Sequence, residues 1–317
     1  MQKRTLGNTD LHVAPLALGS NVFGWTIDEQ QSFNVLDAFV SEGFNLVDTA
    51  DVYSTWQPGN RGGESETIIG NWLKKFRNRT GVIIATKVGG DMGLGRKCLE
   101  KKYIFKAVED SLRRLQTDYI DLYQSHFDDH SLPVTEPLEA YERLIKEGKV
   151  RHIGASNFSA QRLQEALDAS EQQGLPRYQT FQPEYNLYNR EQYEKEYEPL
   201  VTKNGLGVIN YFALASGFLS GKYRTEADAN KSARGGGVVS KYLNERGNRI
   251  LKALDNVSGR YNTDPASVAI AWLIARPSIT APIASATSKE QLASLVKAAR
   301  LQLDKEAITE LNDASAY

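Results

Sequence analysis

Eight short apolar runs alternate with amphipathic stretches along the chain, and this alternation constrains the fold more than any other feature. The runs occupy residues 16–19, 45–48, 81–86, 119–124, 150–155, 179–182, 207–211 and 279–283. Such alternation indicates βα units and a parallel sheet. Eight units predict an α/β fold of the closed (β/α)8 TIM barrel type, because an open doubly wound sheet usually has fewer strands and a glycine-rich turn after the first. Residues 19–24 do not match G-x-G-x-x-G.

The stretches between the runs have helical periodicity. They predict helices at residues 29–42, 65–76, 104–115, 137–147, 160–172, 191–203, 243–261, 265–275 and 289–300. The helix at 265–275 is additional to the repeated units, so we expect extra C-terminal helices. Two apolar stretches around Gly7 and Asn8 predict an N-terminal β-hairpin. No linker interrupts the pattern, and we expect a single domain over residues 1–317.

Three connections are long and rich in glycine or charge: residues 51–63, 89–102 and 224–240. Long connections in a compact domain are often lids or binding loops. The third one follows the seventh strand, so we expect it to overhang the carboxyl end of the barrel.

Composition and charge exclude several classes of protein. The chain is 41% hydrophobic and 24% charged, which is typical of a globular protein with a sizeable core. Its net charge of −1 predicts no broad attraction to nucleic acid or to an anionic membrane. No apolar run approaches the roughly 18 to 20 residues of a membrane helix, and residues 1–10 lack the apolar core of a secretory signal. With Cys98 as the single cysteine, we expect a cytoplasmic enzyme; the oligomeric state is not predicted.

Four polar side chains lie at or just past the ends of the second, third and fourth runs: Asp48, Tyr53, Lys87 and His126. Because parallel strands end on one face of a barrel, we expect these side chains to meet there. Taken singly, each has an ordinary structural role, such as capping a turn or packing in a loop. The repetition at successive strand ends favours a shared site, since polar groups are costly to bury unless they are satisfied or used.

The chemistry of this set is proton transfer. A free phenol has a pKa of about 10. The Lys87 ammonium is expected to lower the pKa of Tyr53, while Asp48 keeps Lys87 charged. A neutral His126 could orient a carbonyl oxygen by a hydrogen bond. The set can protonate an alkoxide but has no source of hydride, so a cofactor is implied, and no metal site is predicted.

Five segments carry a specific combination of motifs. They are GFNLVDTADVY at 43–53, TK at 86–87, DLYQSH at 121–126, GKVRHIGASN at 148–157 and QPEYN at 182–186. In combination they resemble the aldo-keto reductases nearly from end to end, in particular the bacterial-type NAD(P)H-dependent members. The resemblance implies hydride transfer between NADP(H) and the carbonyl or alcohol carbon of small aldehydes or ketones, without a Rossmann domain. It implies Tyr53 as the catalytic acid/base, with Asp48, Lys87 and His126 as its partners.

The same resemblance implies a set of cofactor-binding residues. Ser156, Asn157 and Gln182 correspond to the residues that bind the carboxamide, and Tyr211 to the aromatic residue that stacks on the nicotinamide. The segment LASGFLSGK at 214–222 resembles the pyrophosphate loop, whose glycines let backbone amides approach phosphate. The remaining contacts implied there and nearby are Phe212, Leu214, Ser216, Gly217, Leu219, Gly221, Lys222 and Arg234.

Two segments depart from the family pattern. Phe212-Ala213 stands where the family often has Ser-Pro, and residues 284–291 replace a segment that commonly contains Pro-Gly-Ala or Pro-Lys-Ser followed by a basic residue. Lys289 is the nearest cation there. Ser285, Thr287, Gln291 and a helix start could still bind the 2′-phosphate of NADPH. We expect NADPH as the cofactor, with NADH possible.

The expected substrate pocket is aromatic. Trp25, Trp56 and Phe127 are the candidates, and an apolar pocket with few polar groups would accept many aldehydes or ketones. Two other functions stay open at this point. One is a regulatory cofactor-binding protein similar to the aldo-keto-reductase-like subunits of potassium channels. The other is a barrel isomerase or aldolase that uses Lys87 as a Schiff base; cofactor binding separates these functions.

Overall fold

A computed structural model describes residues 2–77, 79–232 and 234–317, and its centre is a sheet of eight parallel strands. A short antiparallel hairpin precedes the sheet, with β1 at Arg4–Thr5 and β2 at His12–Val13. The sheet strands β3 to β10 are Ala17–Gly19, Leu46–Asp48, Ile83–Val88, Ile120–Ser125, Val150–Ser156, Thr180–Gln182, Gly207–Val208 and Ile283–Ala284. Their order is β10-β3-β4-β5-β6-β7-β8-β9, so successive strands are neighbours. The predicted hairpin and parallel sheet are confirmed.

Backbone hydrogen bonds also join the two strands at the ends of this order. Val208 O accepts from Thr280 N at 2.9 Å, and Asn210 O accepts from Ile283 N at 2.9 Å. These bonds link β9 to β10 as in a closed (β/α)8 TIM barrel. The predicted eighth strand is present, but its predicted bounds of 279–283 are wrong, because β10 begins only at Ile283. Pro282 has no N–H to donate, and the residues before it approach Val208 irregularly.

Eleven α-helices lie among the described residues and cover the outside of the barrel. Helices α1 to α11 are Glu29–Ser41, Glu64–Phe76, Lys101–Leu115, Thr135–Lys146, Ala160–Gln173, Glu198–Asn204, Gly235–Tyr242, Glu245–Arg260, Pro265–Ile274, Lys289–Arg300 and Lys305–Ala314. Side chains at six N-termini accept hydrogen bonds from first-turn amides and fix where those helices begin. They are Asp28, Ser159, Asn244, Asp264, Ser288 and Asp304.

Three helical segments differ from the prediction. The helix expected at 191–203 contains a π-helical turn at Tyr193–Tyr197 before α6. Helix α7 begins within the connection 224–240, where consecutive glycines disfavour a helix, and ends two residues beyond it. Helix α11 is one of the expected extra C-terminal helices, although its position was not predicted.

The apolar core has two parts, one outside the sheet and one inside the barrel. The larger part lies between strands and helices, and the smaller part fills the barrel interior. Leu6, Leu11 and Val13 of the hairpin segment belong to the interior part and are almost fully buried. Gly7 makes this approach possible, since a Cβ there would lie 2.1 Å from the Gln179 carbonyl oxygen. The hairpin therefore closes the amino end, and polar side chains gather at the carboxyl end. No helix in the described ranges is both long enough and apolar enough to cross a membrane.

Candidate active site

Asp48, Tyr53 and Lys87 are joined directly by hydrogen bonds at the carboxyl end of the barrel. Lys87 Nζ donates to Asp48 Oδ2 at 2.8 Å and to Tyr53 Oη at 2.7 Å. Tyr53 Oη donates to the same Asp48 oxygen at 3.0 Å. The three groups come together because β4 ends at Asp48 and pairs with β5, which carries Lys87. The structure thus brings together the residues that the strand ends predicted.

Lys87 is completely buried, and its three N–H donors all have partners. Besides Asp48 and Tyr53, it donates to the Thr49 carbonyl oxygen at 2.8 Å. Burial lowers the pKa of Lys87, and the Asp48 carboxylate opposes that shift. Because its nitrogen is fully engaged, Lys87 is poorly arranged to attack a carbonyl as a free amine. This geometry disfavours the Schiff-base alternative.

The pKa of Tyr53 is raised well above its ordinary value, first by burial and then by the Asp48 carboxylate. The expectation that Lys87 lowers the pKa of Tyr53 overall is therefore not met. Removing the phenolate from water and facing it toward a carboxylate outweigh the neighbouring ammonium. Tyr53 is protonated near neutral pH and can donate a proton, while Lys87 still holds the oxygen on which a phenolate would form.

His126 follows β6 and lies across the site from Tyr53, with 6.1 Å between the ring centroids. Its backbone N–H donates to the Val88 carbonyl oxygen at 2.8 Å, which fixes its position. Burial lowers the pKa of His126 well below its usual value, and the charges of Lys87 and Lys97 lower it further. The imidazole is therefore neutral and has one N–H to donate.

The predicted substrate residues line the space beside these groups. Trp56 lies 6.2 Å from the Tyr53 ring and packs edge-on against Trp25 at 5.5 Å. Phe127 stacks on His126 with 4.4 Å between centroids. Trp56 is 47% exposed, so these aromatic side chains form an open mouth rather than a closed core.

The connection at 224–240 reaches over this mouth. The Arg234 guanidinium lies 4.9 Å from the Trp25 ring centroid. The overhang predicted for this connection is thus present, although much of the segment is helical: a 3-10 turn at Glu226–Lys231 precedes α7.

Ser156, Asn157, Gln182 and Tyr211 form a connected polar group next to Asp48. Gln182 Nε2 donates to Asp48 Oδ1 at 2.8 Å, and Ser156 Oγ donates to the Gln182 carbonyl oxygen at 2.8 Å. Tyr211 Oη donates to Asn157 Oδ1 at 2.8 Å. Asn157 has a left-handed backbone with φ of 55°, a conformation that asparagine tolerates better than most residues. The three residues implied for the carboxamide and the tyrosine implied to stack on the nicotinamide therefore lie together beside Asp48.

The segment 212–222 forms a tight loop with several left-handed residues. Phe212, Ala215, Ser216 and Gly217 have φ values of 54°, 47°, 56° and 90°. The loop is held by its own backbone, because the amides of Ala215, Gly217, Leu219 and Gly221 donate to carbonyl oxygens within it. The Lys222 ammonium lies 3.4 Å from the position that a Cβ on Gly217 would take. Leu214, Leu219 and Gly221 are part of the same loop.

Residues 285–291 follow β10 and lead into α10. Ser285 Oγ donates to Asn21 Oδ1 at 2.6 Å, and the Thr287 hydroxyl and N–H both donate to Gln291 Oε1 at about 3 Å. Ser288 caps α10, and Lys289 is exposed at its first position. The structure places these residues at a helix N-terminus, which favours anions.

Sequence reasoning missed a buried carboxyl pair behind Lys87. Asp51 is 2% exposed, and neither of its carboxyl oxygens has a hydrogen-bond partner in the part of the chain that the structure describes. Glu66 accepts from Thr86 Oγ1 at 2.5 Å and from Arg114 Nε at 2.7 Å. Burial raises the pKa of Asp51, and the Glu66 charge raises it further. The sequence feature that could have indicated this pair is Glu66, a carboxylate on the buried face of α2, the helix that begins next to the site.

A second residue that sequence reasoning missed is Lys97. Its Nζ lies 4.5 Å from the Phe127 ring centroid, although 29 other residues separate the two in sequence. Nothing in the sequence around residue 97 indicates this contact.

The phenol between an ammonium and a carboxylate, with the neutral imidazole facing it, is a set of groups that can transfer a proton at the carboxyl end of the barrel. The model of the aldo/keto reductase family matches residues 15–316, and the chain belongs to this family. The family and several named relatives support an oxidoreductase.

Three relatives illustrate the range of the similarity. The uncharacterized oxidoreductase YrpG of Bacillus subtilis is 35% identical over 99% of this chain and 95% of its own length. The aryl-alcohol dehydrogenase [NADP(+)] of Phanerodontia chrysosporium is 29% identical over 97% of this chain and 84% of its own length. A probable voltage-gated potassium channel subunit beta of Arabidopsis thaliana is 31% identical over 94% of this chain and 91% of its own length.

Proposed function

We propose that this protein is an NADPH-dependent reductase of small aldehydes and ketones, with Tyr53 as the general acid. The observation that carries the proposal is the position of the Tyr53 oxygen, 2.7 Å from the Lys87 ammonium and 3.0 Å from the Asp48 carboxylate. A raised pKa keeps the phenol protonated, so it can give its proton to a carbonyl oxygen that becomes an alkoxide.

Lys87 and His126 have different parts in this proposal. Lys87 already donates a hydrogen bond to the phenol oxygen, and it would stabilise the phenolate as the proton leaves. His126, kept neutral by burial, would donate its N–H to the substrate carbonyl and orient it toward Tyr53. Asp48 holds Lys87 and, through Gln182, connects the proton-transfer groups to the carboxamide residues.

The residues near Asp48, Tyr53, Lys87 and His126 fit a nicotinamide cofactor, which supplies a hydride when bound. Gln182 uses its Nε2 on Asp48, and its Oε1 accepts no hydrogen bond from the described part of the chain, so it is available to a carboxamide N–H. The Lys222 charge beside Gly217, and the absence of side chains at Gly217 and Gly221, suit the approach of a pyrophosphate. Tyr211 would stack on the nicotinamide ring and leave the opposite face to the substrate. Phe212 and Arg234 would complete the contacts.

For the adenosine end of the cofactor we propose a modest preference for NADPH. Ser285, Thr287, Gln291 and the N-terminus of α10 would bind the 2′-phosphate, and Lys289 would add charge. Lys289 is exposed and is the first residue of α10. An exposed cation contributes less than a buried one, because solvent screens it.

A second candidate function is cofactor-dependent regulation of a membrane channel. It is favoured by similarity to proteins named as potassium channel beta subunits in Arabidopsis thaliana and in Oryza sativa, at 31% and 32% identity. Such a protein would bind the cofactor but reduce carbonyl substrates only slowly. The complete set of Asp48, Tyr53, Lys87 and His126, in hydrogen-bonded order, favours turnover.

The test is a steady-state screen of aliphatic and aromatic aldehydes and ketones with NADPH and with NADH, beside cofactor titrations followed by tryptophan fluorescence. We expect tight NADPH binding and reduction of several aldehydes. Tight binding with no turnover of any carbonyl would favour the regulatory function. Absence of binding to both cofactors would contradict both candidates.

A further inference from the structure

Lys97 is an exposed cation at the substrate mouth. Its ammonium lies over the Phe127 ring, at 4.5 Å from the centroid. No carboxylate within the described ranges forms an ion pair with it, whereas its neighbour Arg96 pairs with Glu100 and reaches Asp129 at 3.8 Å. Lys97 is exposed, and a cation–π contact of an exposed cation contributes only about 0.5 to 1 kcal/mol, so an anion could readily replace it.

The backbone on both sides of Lys97 is anchored, so the position of this residue is set by the fold. On one side, Asp91 Oδ1 accepts from the amides of residues 93–95 at 2.8 to 3.0 Å. On the other side, Cys98 and Leu99 are buried, and Leu99 N donates to Asp129 Oδ2 at 3.1 Å. The connection at 89–102 therefore holds Lys97 against the residue that follows His126.

The charge of Lys97 is close enough to act on a bound substrate. The His126 and Phe127 ring centroids lie 4.4 Å apart, and the Lys97 Nζ lies 4.5 Å from the Phe127 centroid. The Lys97 charge is therefore within about 9 Å of the imidazole. The charge already influences His126, whose pKa it lowers. Away from Lys87, the mouth carries aromatic rings and two cations: Lys97 lies over Phe127 beside His126, and Arg234 lies over Trp25 at 4.9 Å. Of these two cations, Lys97 is the one that lies over the ring stacked on His126.

We infer that the preferred substrates are aldehydes or ketones that carry a carboxylate a few bonds from the carbonyl, and that Lys97 binds this carboxylate. The inference rests on the proposed function and names its substrate class. With the carbonyl directed at Tyr53 and His126, a carboxylate across a benzene ring or a short chain would reach Lys97. The aromatic side chains would contact the apolar part between the two groups.

The experiment compares two substrates that differ in charge at one end, 4-carboxybenzaldehyde and methyl 4-formylbenzoate. Values of kcat/KM with NADPH are measured for the wild type and for Lys97→Met, Lys97→Arg and the matched control Lys102→Met, which removes an exposed lysine at the start of α3. A charge-assisted contact of this kind corresponds to about tenfold in kcat/KM. We expect Lys97→Met to lower the acid-to-ester ratio by about that factor with little change for the ester. Lys97→Arg should keep most of the ratio, and Lys102→Met all of it.

The role of Lys97 can also be tested by measuring ligand binding, which does not require that the protein reduce either aldehyde. Benzoate is titrated into the cofactor-saturated protein, and quenching of tryptophan fluorescence reports the mouth, where Trp25 and Trp56 lie. We expect Lys97→Met to raise the benzoate Kd by about tenfold. The same Kd in wild type and Lys97→Met, or an unchanged acid-to-ester ratio, would overturn the inference while leaving the proposed reductase function intact. Reduction of neither aldehyde by the wild type would instead count against the proposed function, and the benzoate titration would still decide the role of Lys97.

Discussion

The two ends of the barrel both carry buried charges, but they use them differently. At the amino end, Asp121 is 2% exposed and accepts from Arg79 at 2.7 Å, from Arg151 at 3.0 Å and from the Ile84 amide at 2.9 Å. Arg151 continues to Asp10 of the hairpin segment at 2.6 Å. At the carboxyl end, the corresponding centre is Asp48, which is tied to a phenol that faces the mouth.

The charges at the amino end contribute to stability, whereas those at the carboxyl end surround groups that can transfer a proton. The amino end is a chain of carboxylates and guanidinium groups in which each charge has a fixed partner, and guanidinium groups do not give up protons near neutral pH. The carboxyl end instead places a phenol and a neutral imidazole on one side of a buried ion pair. The first arrangement stabilises the fold, whereas the second provides groups that can transfer a proton. Substitutions at the two ends should therefore affect different measurements.

The largest expected effect is at the carboxyl end. Tyr53→Phe removes the proton donor and keeps the ring, so turnover should fall by about 10² to 10⁴. Cofactor affinity and the free energy of unfolding should change little. Steady-state rates measure turnover, fluorescence titration measures cofactor affinity, and urea unfolding measures the free energy of unfolding. The control Tyr261→Phe also removes a phenol that accepts a hydrogen bond, from Asp304 N, but lies on the outer helices. Near-normal turnover by Tyr53→Phe would exclude the phenol from the reaction.

Lys87→Met should give the next largest loss, of about 10²-fold in turnover. Without the ammonium, the phenolate loses its hydrogen-bond donor and the pKa of Tyr53 rises further. Alcohol oxidation uses the phenolate as base, so its pH profile should move to higher pH. The pH dependence of kcat/KM in both directions checks this. A covalent imine at Lys87, trapped by borohydride with a carbonyl compound, would instead support the aldolase alternative.

At the amino end, Asp121→Asn should lower the free energy of unfolding by about 2 to 3 kcal/mol, because two arginines lose the charge of a buried partner. Activity of the folded protein should be retained. Urea unfolding and rates below the transition measure the two effects. Asp118→Asn, an exposed residue three positions earlier, is the control and should be neutral. A large loss of kcat in folded Asp121→Asn would contradict the separation of the two ends.

Lys289→Ala tests how far the carboxyl-end site depends on an exposed charge. Loss of one exposed contact to the 2′-phosphate should weaken NADPH binding by up to about tenfold and leave NADH binding nearly unchanged. Dissociation constants of both cofactors for both proteins measure this. Equal losses for the two cofactors would show that Lys289 does not contact the phosphate.

The smallest expected effect is at Asp10, the exposed carboxylate that pairs with Arg151 at the amino end. The hydrogen bond from His152 is the largest cause that lowers the pKa of Asp10, and Arg151 lowers it further. A carboxyl group with a lowered folded-state pKa stabilises the protein above its unfolded pKa of about 3.9 and loses that contribution as pH falls through the folded value. Asp10→Asn should therefore cost about 0.2 to 1 kcal/mol near neutral pH, and the difference should shrink below about pH 4. A difference that grows on acidification would contradict the assignment.

The sequence determined the order of the elements and the residues at the strand ends. Alternating runs and helical periodicity predicted the barrel and located most helices, because these patterns reflect which faces of each element are buried. The position of Asp48, Lys87 and His126 at or just past three strand ends followed from the same pattern, since parallel strands end on one face.

The tertiary structure decided what depends on distant contacts. Strand β10 begins later than expected because Val208 and Asn210 draw residues 280–283 into irregular pairing, and α7 forms despite three glycines because it packs beside a 3-10 turn. The direction of the Tyr53 pKa shift depends on burial, which no local pattern gives. The contact of Lys97 with Phe127 joins two loops that only the closed barrel brings together, so its charge at the mouth is a property of the fold and not of the segment that carries it.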